Sequence, residues 1–377
     1  MSEQNVKMDL NEAREAIRQA DEAMAALFVQ RMRAVEAVAA YKRERGLPIE
    51  DLAQEARVIE GRSALIEDPA LREYYVGFLR DTMAVSKRWQ HRLMEGLRVA
   101  YCGVEGAFAH VAARRVFPDG ELVAFPSFEA AYAATESGDC DVAVLPIENS
   151  YAGEVGQVQD LMLRGSLHVN GVYDLSIAQN LLGVPGAALE DVKTVISHPQ
   201  ALSQCRSYLQ RRGLSAVAYD NTAMAAREVA ARGDRSVAAI ASRETAELYG
   251  LVLLDHDINE SRANTTRFAV FSRAERQPVR EGDGGAFLLL FTVKDEAGGL
   301  AKAINIISAY GFNLRVLRSR PRKDLPWHYY FYAEAEGDDA SEGGQQMLTA
   351  LRAVCPMVKV AGRYTAPDSV RQGGESI

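Results

Sequence analysis

Three short polar motifs, each at the end of an apolar run that reads as a strand, constrain this chain most. They are Pro146-Ile147-Glu148-Asn149-Ser150, Ser197-His198-Pro199-Gln200 and Asn264-Thr265-Thr266-Arg267-Phe268, in that order. Residues 98–102, 142–145, 192–196 and 237–240 read as buried strands, with helical segments between them. That alternation predicts an α/β sheet over residues 97–275. Open α/β sheets gather ligands at the carboxyl ends of their strands, where the motifs stand. The length suits two similar lobes with a cleft between them. The first motif falls in one lobe, the second in the other, and Thr266 lies on the return crossing.

The flanking segments differ in kind. Residues 8–95 read as helix, broken at Pro48 and Pro69 into a long first helix to about Arg45, a second, and a third from about Pro69 to Glu95. Residues 274–285 are polar and glycine-rich and read as a linker. After it comes strand 286–294, helix 300–309, strands 314–320 and 329–336, a helix near 346–353 and a strand near 358–364. That βαββαβ order predicts a ferredoxin-like module over 285–366. The tail, 367–377, is expected to be disordered. The fold class is therefore multidomain, all-helical and then α/β.

The chain of 377 residues carries a net charge of −8, which argues against nucleic acid or an anionic membrane as the main partner. No run of about 18 apolar residues is present to span a bilayer, and residues 1–10 lack the apolar core of a signal peptide. Four scattered cysteines without CxxC spacing suit a reduced, cytoplasmic protein and no zinc site. No metal and no cofactor are expected.

On the first helix Ile17, Met24, Phe28, Val35 and Val38 form one apolar stripe, and Arg31 and Lys42 fall on the same face. Exposed stripes on three such helices predict a partner chain, so a homodimer or larger homo-oligomer is expected. Cations on an apolar face either snorkel to water or meet an anion. Arg14 lies roughly 25 Å up the helix from Arg31, too far to share a small ligand with it in one straight helix. An antiparallel partner helix could bring it back.

The three motifs over about 97–275 resemble those of prephenate dehydratase. The resemblance assigns Thr266 to assisting the leaving hydroxyl and gives Glu148, Asn149, Ser197, Gln204 and Arg267 to binding prephenate. The turn from Gly103 to His110 resembles the family's first strand-to-helix loop, but Ala107 and Ala109 stand where it has hydroxyl residues, so this loop must act through its backbone. His198 caps the helix after Pro199 or takes part in catalysis. The stretch from Asp220 to Ala223 contacts substrate or only caps a helix.

The helical segment resembles the all-helical chorismate mutases, intertwined dimers whose first helix lends an arginine to the other subunit. The matches are Arg14, Arg31, Lys42, Asp51, Glu55, Ser86 and Gln90. The resemblance implies that Arg31 and the partner's Arg14 clamp the carboxylates of chorismate, Lys42 and Gln90 donate to its ether oxygen, and Glu55 accepts from its ring hydroxyl. Gln54 departs from the arginine common before that glutamate; Arg57 lies one turn on. The C-terminal module resembles an ACT domain. That implies phenylalanine bound by Gly298, Gly299, Leu300, Ser319, Arg320 and Pro321, with Arg318 where the family has glutamate. Together these imply a bifunctional mutase and dehydratase, feedback-inhibited by phenylalanine. A dehydratase with a purely dimerising helical domain and a non-enzymatic two-lobed binding protein are the alternatives.

Overall fold

The computed structural model describes residues 8–261, 263–275, 285–365 and 368–370. Most of the expected linker and the end of the tail lie outside the described residues. The chain divides into two compact units, Met1–Gly96 and Leu97–Ile377.

The first unit has three helices, α1 (Leu10–Arg45), α2 (Leu52–Ser63) and α3 (Pro69–Glu95). Asp9 starts α1 with a reciprocal cap: it accepts from the Glu12 amide, and the Glu12 side chain returns to the Asp9 amide. Gly46, at φ 60°, stops it. Asp68 caps α3 and Pro69 fills its first turn. The 36 residues of α1 span about 54 Å, yet only Val35 and Ala39 on it are buried. Ile17, Met24, Leu27 and Phe28 on α1, and Tyr74 and Phe78 on α3, stay exposed. An uncovered apolar face of that extent calls for another helix surface.

The second unit begins with β1 (Arg98–Cys102), α4 (Phe108–Val116), β2 (Glu121–Phe125), α5 (Phe128–Ser137), β3 (Val142–Asn149), β4 (Gly153–Glu154), α6 (Gly156–Arg164) and β5 (His168–Ser176). The chain then crosses into a second lobe: β6 (Asn180–Gly183), β7 (Thr194–Ser197), α7 (Pro199–Gln204), α8 (Arg206–Arg212), β8 (Ser215–Ala218), α9 (Thr222–Arg232), β9 (Val237–Ala241), α10 (Arg243–Tyr249) and β10 (Val252–Asp255). It returns as β11 (Thr265–Ser272). β11 inserts between β3 and β5, antiparallel to both. The second lobe is a five-stranded sheet in the order β10-β6-β9-β7-β8. The two crossings bond each other: Ile177 N donates to Asn264 O at 2.8 Å and Ile258 N to Gln179 O at 2.9 Å.

The last segment runs β12 (Gly285–Thr292), α11 (Gly299–Ala309), β13 (Leu314–Pro321), β14 (Tyr329–Glu336), α12 (Glu342–Val354), β15 (Met357–Thr365) and β16 (Asp368–Val370). Its strands continue the sheet of the first lobe, in the order β13-β14-β12-β15-β5-β11-β3-β1-β2. Residues 368–370, expected to be disordered, instead pair with β5 as β16. Backbone groups of β5 left open at that edge supply the partners. Among the described residues no helix is long and apolar enough to cross a membrane.

Candidate functional site

Between the two lobes lies a cleft of about 430 Å3. Cys102 and Gly103 at the end of β1, Asn149 at the end of β3, Thr266 at the start of β11 and His198 after β7 all line it. Asn264, Gln179 and Gln204 line it from the crossings and from α7. Its lining residues include no Lys or Arg among those described.

The amide of Asn149 has a determined orientation. Its Oδ1 accepts from Tyr151 N at 3.0 Å and Ala152 N at 2.8 Å. Its Nδ2 therefore faces Thr266 Oγ1 and Asn264 Oδ1, each at 2.9 Å. A hydroxyl that accepts such a bond keeps its own proton for another acceptor. With Oδ1 of Asn264 so engaged, its buried Nδ2 has no partner among the described residues. On the other wall Gln179 Nε2 donates to Gln204 Oε1 at 3.2 Å, which turns the Gln204 amide nitrogen outward. Asn264 stands in its motif without a sequence signal for this role, and Gln179 carries none; both act through partners distant in sequence.

Three expected substrate ligands do not line the cleft. Ser197 is fully buried and donates to Ile240 O at 2.6 Å. Glu148 and Arg267 stand next to Asn149 and Thr266, and neighbours on a strand face opposite ways. Arg267 meets Glu334 at 3.0 Å, Asp174 at 3.5 Å and Glu148 at 3.6 Å. Glu148 pairs with Arg318. Burial lifts the Asp174 carboxyl above its usual range, against the pull of Arg267; Glu334 and Glu148 add to the rise. His198 lines the cleft and also caps α7, its Nδ1 accepting from Gln200 N at 3.2 Å. Asn221 likewise lines the cleft and caps α9, accepting from Ala223 N at 2.8 Å.

The loop from Gly103 to Ala107 reaches the other lobe by its backbone. Gly106 O accepts from Thr245 Oγ1 at 2.9 Å and Glu105 O from Tyr249 at 3.0 Å. Gly106 has φ +86°, and an added Cβ would press on Leu248 and Ala223 at 3.2 and 3.3 Å. Ala107 gives α4 no side-chain cap, and Phe108 and Ala109 of its first turn, whose amides have no partner within the helix, line the cleft.

In the helical unit Arg31 bonds the Ser86 hydroxyl and Thr82 O. Ser86 and Gln90 are buried on α3. Gln90 Nε2 reaches Ser86 O at only 3.4 Å, and its Oε1 has no protein partner. Lys42 Nζ donates to Ile49 O at 2.5 Å. Glu55 pairs with Lys87 at 3.0 Å, a cation that sequence reading missed. Asp51 caps α2 through Gln54 N at 2.9 Å. Arg57 bends back to Ala53 O at 3.3 Å. Arg14 is exposed on the uncovered stretch of α1, apart from Arg31.

A larger cavity, about 810 Å3, lies in the last segment. Gly298, Gly299, Leu300 and Ser319 line it, with Trp327, His328 and Arg322 opposite. Arg320 and Pro321 do not line it. Arg320 faces the other side of β13, where it meets Glu154 and, at 3.1 Å, the Tyr330 hydroxyl. Among the described residues no cluster of His, Cys, Asp and Glu is placed to hold a metal ion.

A helical unit followed by two α/β lobes around a strand-end cleft defines a class of multidomain enzyme. Comparison with known proteins makes it specific. Residues 99–276 match the prephenate dehydratase family and residues 13–91 the family of chorismate mutase type II. The chain is 36% identical over 279 residues to arogenate dehydratase/prephenate dehydratase 2 of Arabidopsis thaliana, covering 71% of this chain and 72% of that protein. It is 29% identical to a bifunctional chorismate mutase/prephenate dehydratase of Enterobacter agglomerans, over 95% of this chain and 96% of that protein. The crystal structure of prephenate dehydratase from Arthrobacter aurescens in complex with L-Phe is similar with a TM-score of 0.66 and 25% identity, over 72% of this chain and 90% of that one. The chain belongs to the prephenate dehydratase family, and it carries a chorismate mutase domain ahead of the dehydratase domain.

Proposed function

We propose that this chain rearranges chorismate to prephenate in residues 1–96 and converts prephenate to phenylpyruvate in the cleft of residues 97–275. One observation carries the second step: the Asn149 amide donates to Thr266 Oγ1 at 2.9 Å. The threonine proton is then free for the ring hydroxyl of prephenate. That hydroxyl leaves as hydroxide stabilised by the Thr266 hydrogen bond and becomes water with a solvent proton. The electron pair of the ring–carboxylate bond moves into the ring, which becomes aromatic as carbon dioxide departs. Among the described residues the lining has no Lys or Arg, which suits this step, because a cation bound to the departing carboxylate would stabilise the ground state. Gln204 and the first-turn amides of α4 hold the substrate with neutral donors instead.

The first step is pericyclic and needs no nucleophile. It needs a clamp on the compact conformer and a donor to the ether oxygen. Arg31, Lys42 and Gln90 supply part of that set from one chain. The exposed faces of α1 and α3 support a homodimer in which the partner's Arg14 completes it. The last segment, residues 285–366, is a ferredoxin-like ACT module whose cavity takes phenylalanine as feedback inhibitor, and the protein works in the cytoplasm.

Chorismate and prephenate turnover, assayed separately on the full chain, test this reading. Both activities are expected. Full prephenate turnover without chorismate turnover would reduce the helical unit to a dimerisation element, and neither activity would overturn the reading.

A further inference from the structure

The site and the last segment are joined at the strands that carry catalysis. On the β3–β11 ladder Thr266 is opposite Asn149, and one step along Arg267 is opposite Glu148. The first pair faces the cleft and the second faces away. The second pair is gripped by the last segment, with Asp174 of β5 as a further contact of Arg267 at 3.5 Å. Glu334 of β14 is 2% exposed, and both its oxygens lie 3.0 Å from Arg267 Nη1. Tyr332 and Tyr364 donate to the same carboxylate at 2.7 and 3.0 Å. Arg318 of β13 binds Glu148 and lies 4.0 Å from Glu154, which lines the cleft. The result is one chain of alternating charge, Glu334, Arg267, Glu148 and Arg318. Its far end adjoins Ser319, which lines the 810 Å3 cavity.

A register shift follows directly, between Arg267 and Phe268. Such irregularities re-aim side chains, so the direction of Thr266 depends on how Arg267 is held. A misplacement of about 1 Å costs on the order of 10²-fold in rate.

We propose that Arg318 and Glu334 are positioning residues for the dehydratase reaction, acting through the Glu148–Arg267 pair on Asn149 and Thr266, and that Arg318 conveys occupancy of the adjacent cavity to that pair. The inference rests on the dehydratase reading of the cleft. It makes the last segment a working part of the catalytic strands as well as a sensor beside them.

The test uses the full-length chain. Wild type is first assayed with prephenate; no phenylpyruvate would sink the function assigned to the cleft. Given an active wild type, Arg318→Gln should lower dehydratase kcat roughly 10- to 100-fold with KM within about threefold, and Arg318→Lys should keep most of it. Glu148→Gln should fall as far, and the double variant no further than either single. Glu334→Gln tests the other end; if it fails to fold by circular dichroism, the Arg318 pair decides. Phenylalanine should still give binding heat with Arg318→Gln but no longer change its rate. An unaltered kcat in Arg318→Gln, strictly additive losses, or an intact phenylalanine response in that variant would each overturn the proposal.

Discussion

Replacing Asn149 by Asp tests the hydrogen-bond direction on which the dehydratase mechanism depends. Asp keeps the size of Asn and the acceptor that Tyr151 N and Ala152 N use. It removes the donor that faces Thr266 Oγ1 and Asn264 Oδ1 at 2.9 Å each. The threonine then turns its proton toward the new carboxylate and away from the cleft. Loss of one donor aimed at a developing oxyanion costs about 10²–10³ in kcat, so Asn149→Asp should lose that much even though Thr266 is untouched. The contact with Thr266 re-forms with its direction reversed, so only the bond to Asn264 Oδ1 is lost, at about 1 kcal/mol of stability. The carboxylate would also add a negative charge to the cleft wall, so the affinity of the anionic substrate should fall. Thr266→Ala should lose a similar factor in kcat, and the double variant should be little worse than either, because residues acting as one unit are not additive. Initial rates of phenylpyruvate formation at saturating prephenate give the comparison. Near-normal kcat in Asn149→Asp, or losses that multiply in the double variant, would refute the orientation argument.

Three further outcomes are expected. Arg14→Ala and Lys42→Ala chains, each inactive as a mutase, should regain some chorismate turnover when mixed under subunit exchange, since one site of the heterodimer is then intact; no recovery despite proven exchange counts against a site built from two chains. Asp174→Asn should raise the melting temperature at neutral pH. Its carboxyl titrates above the usual value when folded, so the native state carries the cost of a buried charge above that value and sheds it as pH falls through it. The gain should therefore shrink in acid, and melting curves across that range check it. Gly299→Ala should weaken phenylalanine inhibition at least tenfold, because a Cβ there collides with Lys294 O and the turn must open; an unchanged dose–response curve would exclude that turn from the ligand site.

The three helices were legible because Pro48 and Pro69 punctuate a long helical pattern, and the motifs marked the strand ends that form the cleft. Side-chain direction was the weak point. Glu148 and Asn149, Thr266 and Arg267, and Ser319 and Arg320 are neighbours on strands, and each pair divides between two faces. The alternation was available from strand period alone, yet a motif invites assigning all its letters to one ligand. Glu334 was beyond reach: a glutamate on a strand reads as solvent-facing until β11, 67 residues earlier, is known to bring Arg267 against it. β8, Ser215–Ala218, has no buried residue to mark it. This outer strand of the second lobe therefore has no buried face to mark it.

The position of β5 in the sheet has a consequence for synthesis. One edge of β5 pairs with β11, and among the described residues the other is covered by β15 and β16 alone. β15 meets it at Gly362, opposite Val169, where no side chain could fit against Val169 O. β5 ends at Ser176 and β15 begins at Met357. At about 5–20 residues per second, the ribosome needs roughly 10–40 s to supply the covering strand after β5 has emerged. Through that interval a partly buried strand presents unpaired amides and carbonyls. Chains interrupted before Met357 should therefore be clients of chaperones or join one another edge to edge, and the yield of this enzyme in a cell should depend on how quickly its last hundred residues are made.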